Sequence, residues 1–183
     1  MRNLPRKLLK EVVYPAGFMV LGKILGLVLI TNWNNYPLRV SNNLETYFSI
    51  QFTYATNEQV YIATTFSNGV MLFFILLGLL FYLVKALYFH ESHNSPKVVV
   101  RLAELNLMSL VSDSFSIYVP LFSWIVYYWL AIGLVTLDTY LNKSSAILLI
   151  IGVCLGIVST GIAFFDVQRE FNIKNNLYNH KYE

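Results

Sequence analysis

VYIATTFSNGVMLFFILLGLLFYLV, residues 60–84, runs for 25 positions without a charged side chain. A helix needs about 20 apolar residues to cross a hydrocarbon layer about 30 Å thick, so this run is long enough with turns to spare. Three further stretches meet the same requirement: residues 12–31, which carry one charge at Lys23, residues 110–137, with Asp113 near the start, and residues 146–165. In lipid the backbone must bond within its own segment, so continuous apolar runs of this length are helices. Barrel strands would instead read as roughly ten-residue segments of alternating polarity. The chain therefore reads as an all-α membrane protein, four transmembrane helices in a bundle, forming a single polytopic domain over residues 1–183.

Composition agrees. The chain is 56% hydrophobic and 13% charged, against about 25% charged residues in a soluble domain. The net charge of +3 matters less than where the charges lie. Ten Lys and Arg residues flank the spans on the side of the two termini: Arg2, Arg6, Lys7, Lys10, Lys85, Lys97, Arg101, Arg169, Lys174 and Lys181. Only Arg39 and Lys143 fall on the other side. By the positive-inside rule both termini are cytoplasmic. The opening MRNLPRKLLKE is basic like a secretory signal, but the apolar run after it is too long and lacks an A-x-A site, so an uncleaved first span is expected. With no organelle-targeting or retention signal, a prokaryotic plasma membrane is the default expectation.

Between the first two spans, NWNNYP places Trp33 and Tyr36 where interfacial aromatics belong. Phe48, Ile50, Phe52 and Tyr54 then alternate with Ser49, Gln51 and Thr53, which suits a half-buried strand. With Asn42-Asn43 as a turn, a short β-hairpin is expected in this outer loop. Ser95-Pro96 has helix-start chemistry, with Ser as N-cap and Pro in the first turn. From there the pattern stays helical to Thr136, which predicts an amphipathic cytoplasmic extension of the third helix, with a kink at Pro120.

The residue least expected in lipid is Lys23, because a charge near the midplane costs about 2.5–3.5 kcal/mol. It either marks a functional polar site or snorkels to the nearer headgroups. Asp113 lies at an ambiguous depth. An outer end at Asp138 leaves it among headgroups, whereas an outer aromatic belt at Tyr127, Tyr128 and Trp129 buries it about 9 Å deep. Ser109, Ser112, Asp113, Ser116, Pro120 and Ser123 recur every three or four residues on one face, which should look into the bundle. A Lys23–Asp113 pair beside this serine stripe is the sharper expectation, and plain helix packing the simpler one.

Gly22 and Gly26, and Gly152, Gly156 and Gly161, form small-residue faces on which two helices can approach closely. His90 and His93 in HESH are weak metal candidates without a third ligand, so no metal site is expected. No histidine lies inside a span, which argues against haem, and no cofactor is expected. Cys154, the one cysteine, can form no disulfide within the chain. Nucleophile elbows and phosphate loops are absent from the sequence, and the basic residues form no nucleic-acid patch. A Ser–Lys dyad from Ser109 or Ser112 with Lys23 is the one enzymatic arrangement to weigh against a non-enzyme. The expected partners are the lipid bilayer and either further copies or other membrane subunits. The expected role is a non-catalytic accessory, assembly or scaffold component. Its alternative is a small oligomeric channel or transporter with a polar path around Lys23, Asp113 and the serines.

Overall fold

A computed structural model describes residues 4–36, 39–41, 51–54, 56–89, 100, 104 and 114–179. Four helices dominate: α1 (Leu4–Asn34), α2 (Asn57–Tyr88), α3 (Ser114–Tyr140) and α4 (Ala146–Asn179). Each contains a segment long and apolar enough to cross a membrane: Val13–Asn34, Asn57–Tyr88, Ser114–Tyr140 and Ala146–Ile173. Two three-residue stretches, β1 (Arg39–Ser41) and β2 (Gln51–Thr53), pair antiparallel with Val40 opposite Phe52. The turn expected at Asn42-Asn43 and the expected extension of the third helix lie outside the described residues.

The helices run up, down, up, down. Gly22 lies against Met71 and Gly26 against Ser67, an antiparallel register, and Tyr118 meets Asp166 where Tyr128 meets Gly152. Core positions on α3 follow a four-three spacing: Ile117, Leu121, Trp124, Tyr128, Ala131 and Val135. That is the seam of helices packing at a small left-handed angle. Met71, Ile75, Leu79 and Leu83 on α2 fill the facing stripe. Outward residues stay apolar as well, Phe73, Phe122, Ile150 and Phe165 among them, so this exterior suits hydrocarbon rather than water.

Helix ends follow local chemistry. Thr56 is extended and its hydroxyl accepts from the Gln59 amide, capping α2. Both α1 and α3 end on an asparagine in the left-handed region, Asn35 (φ 51°) and Asn142 (φ 55°), the role usually taken by glycine. The Tyr36 amide then returns to the Thr31 carbonyl, and the Lys143 amide to the Asp138 carbonyl. α1 and α3 contain Pro15 and Pro120, both buried, neither of which can donate to the preceding turn.

Helices α1, α2 and α4 run past the stretches expected from sequence at one or both ends. The largest difference is in α4, whose apolar run stops at Phe165 although the helix continues to Asn179. Asp166 and Glu170 in this continuation turn inward and are 3% and 5% exposed.

Candidate functional site

Close approach of α1 to α2 builds the site. A Cβ on Gly26 would stand 2.6 Å from Ser67 Cα and one on Gly22 2.9 Å from Met71 Cα, so only glycine permits this spacing. At that spacing the Ser67 hydroxyl donates to the Lys23 carbonyl at 3.0 Å. The Lys23 ammonium then donates to Asn68 Oδ1 and, at 3.1 Å, to Asp138 Oδ2 on α3. Asn68, fully buried, turns its amide to Asp138 Oδ2 (3.0 Å) and to the Ser144 hydroxyl in the α3–α4 turn (3.1 Å). One carboxylate, one ammonium and one carboxamide thus join three helices and a turn. The Ser145 amide adds a bond to the Thr65 hydroxyl at 3.1 Å.

This cluster is recessed. α1 continues from Lys23 to Asn34, and α2 begins at Asn57 before reaching Asn68. At 1.5 Å per residue each helix therefore extends about 16 Å beyond the cluster. By contrast, α3 ends two residues after Asp138, closed by the turn at Asn142. The short α3–α4 turn leaves the ion pair on the floor beneath a longer α1–α2 wall, with side-chain exposures of 32% for Lys23 and 25% for Asp138.

A second polar cluster lies at the opposite end, between α3 and α4. The Tyr118 hydroxyl donates to Asp166 Oδ2 at 2.9 Å and the Ser114 hydroxyl to Glu170 Oε1 at 3.0 Å. Each pair of residues is four apart on its helix, so the two bonds form successive rungs between antiparallel helices. From Ser114 to Asp138 the helix rises about 36 Å at 1.5 Å per residue, so the two clusters sit at opposite ends of the bundle.

Between them the interior is apolar and aromatic. Trp124 lies on Gly78, where any Cβ would overlap its ring, and meets Phe18 edge-on with centroids 5.4 Å apart. The Tyr128 hydroxyl is spent on the Gly152 carbonyl at 2.9 Å.

Of the residues singled out from sequence, Lys23 holds the centre of the first cluster. It binds Asp138, at the far end of α3 from the partner expected. Ser109, Ser112, Asp113, His90 and His93 lie outside the described residues. Ser116 is half-buried, and Pro120 and Ser123 are buried, on an inward face of α3. The glycine faces close within this one chain. Gly22 and Gly26 take α2, while Gly152 meets Ile132 and Gly156 meets Tyr128 and Trp129. Gly161 has no such neighbour: a Cβ there would meet nothing within 4 Å. No group of three potential metal ligands occurs among the described residues.

Asn68, Asp138, Ser144, Asp166 and Glu170 were missed. Asn68 carried a usable signal as the one carboxamide in the uncharged 60–84 run. Asp138 was read only as the outer end of the third span, and Asp166 and Glu170 lie beyond the apolar run that ends at Phe165. Comparison with known proteins finds no matching family model, no matching curated protein and no matching solved structure.

Proposed function

We propose that the chain is a non-catalytic membrane component, an accessory, assembly or scaffold subunit that works through its packing surfaces. The closed interior carries this reading: Met71, Ile75, Leu79, Leu121, Trp124 and Tyr128 fill the bundle between the two polar clusters. Lys23 and Asp138 offset each other's charge within the chain. Since Gly22, Gly26, Gly152 and Gly156 are used internally, contacts with further copies or other membrane subunits fall to the outward apolar surfaces. The distribution of Lys and Arg favours cytoplasmic termini, with a prokaryotic plasma membrane as the default location. In that orientation the Lys23 cluster belongs to the outer half and the carboxylates to the inner half. The β1–β2 pair then belongs to an outer hairpin above the long α1–α2 end.

A second reading, a small channel or transporter, draws on the partial exposure of the ion pair, since charges within membranes commonly line substrate paths. Cysteines placed at positions 75, 121 and 143 in a Cys154→Ser background separate the two readings. A water-soluble thiol reagent added to both faces of the membrane should label position 143 and spare 75 and 121. Labelling at 75 or 121 would show water inside the bundle and turn the assignment to transport. Light scattering and crosslinking in native membranes test the assembly role directly, and a solitary, uncrosslinked species would overturn it.

A further inference from the structure

On the side of α3 and α4 away from the ion pair, a groove of about 300 Å³ opens between the helices, at the lower edge of small-molecule sites, which span about 300–1,000 Å³. Its walls are Leu121, Phe122 and Ile125 on α3 and Ala163, Phe164 and Val167 on α4. The groove exists because Ala163 and Thr160 are too short to fill the seam that the two phenylalanines flank. Phe122 and Phe164 are 68% and 66% exposed at the rim, so the groove opens sideways through the apolar exterior.

We propose that this groove binds one hydrocarbon chain of a membrane lipid. It lies within the membrane-crossing segments of both helices, where hydrocarbon is the surrounding solvent and water is excluded. Its two polar lining groups already have partners: the Tyr118 hydroxyl is bonded to Asp166 and the Thr160 hydroxyl accepts from the Trp129 indole at 3.1 Å. A polar solute would therefore lose its hydration in exchange for apolar walls. A methylene chain has no hydration to lose there, and the two helices offer it contact on several sides. A shallower depression over Ser114, Phe115 and Val119 shares Tyr118 and Phe122 with the groove. It leads toward the first residue of α3, which gives the lipid's polar end a way out of the apolar seam. This site stands independently of the role proposed above, since it requires only that α3 and α4 span a membrane.

Trp129 reports on the site, because its indole is bonded to a lining residue. Purified Trp33→Phe protein in mild detergent, titrated with a phosphatidylcholine brominated in mid-chain, should show saturable tryptophan quenching. Ala163→Phe fills the floor of the groove and should raise the quenching midpoint or abolish saturation. Phe122→Ala removes one rim and should weaken binding in the same direction without adding bulk, so the test survives if the larger side chain impairs folding. Non-saturable quenching, equal in all three proteins, would show bulk lipid alone and overturn the assignment. High-yield disulfide dimers from Phe122→Cys in a Cys154→Ser background would give the groove to a second copy and overturn it equally.

Discussion

The two buried polar clusters solve one problem in different ways. At the α3–α4 turn, opposite charges meet: the Lys23 ammonium, the Asp138 carboxylate and the Asn68 amide between them. At the other end, two carboxylates of like sign are held by hydroxyl donors, Asp166 by Tyr118 and Glu170 by Ser114. The first ties α1, α2, α3 and a turn together, while these two bonds tie only α3 to α4. An ion pair requires its partner's charge, and a hydroxyl–carboxylate bond requires only an acceptor. The first cluster should therefore be intolerant of neutralisation and the second tolerant.

The largest expected effect breaks the geometry beneath the first cluster. Gly26→Leu forces the α1 and α2 backbones apart and should cost about 3 kcal/mol, measured by unfolding in mixed micelles. Next is the charge itself. Asp138→Leu leaves the Lys23 ammonium without its counter-ion and should cost about 2 kcal/mol, below the 3–5 kcal/mol of fully buried pairs because both groups are only partly buried. The double change Lys23→Met with Asp138→Leu should recover most of that loss, and a double-mutant cycle with no coupling would dissolve the contrast.

Asparagine substitutions sharpen the comparison. Asp138→Asn should destabilise by about 1.5 kcal/mol, whereas Asp166→Asn, whose side-chain oxygen can still accept from Tyr118, should stay within about 0.5 kcal/mol. Equal losses at the two sites would mean that the α4 acids also depend on a counter-charge. The smallest effect is Tyr118→Phe, about 0.6 kcal/mol by analogy with hydrogen bonds inside other membrane bundles. It should be visible as a small shift of the unfolding midpoint.

The architecture was more legible than the site because each rests on different information. Four spans follow from run length and hydrocarbon thickness, which are properties of neighbouring residues. Lys23 stood out for the same reason, as a charge where the local composition forbids one. Its partner did not, because Asp138 is 115 residues away and the serine stripe drew attention to the other end of the same helix. Asp166 and Glu170 did not stand out either, because they lie beyond the apolar run and hydropathy alone does not show that a carboxylate faces inward. Their donors, two hydroxyls on α3, are 48 and 56 residues away in the chain.

The amino-acid sequence alone determined that this chain forms four helices long and apolar enough to cross a membrane, and that Lys23 requires an explanation. Local composition suffices there, since a backbone in hydrocarbon has no other way to satisfy its bonds. Tertiary structure decided which acid answers Lys23, that the glycine faces close inside one chain, and that the α3–α4 turn stops short of the α1–α2 wall. Those outcomes depend on the relative register of helices far apart in the chain, which close packing sets and no local pattern encodes.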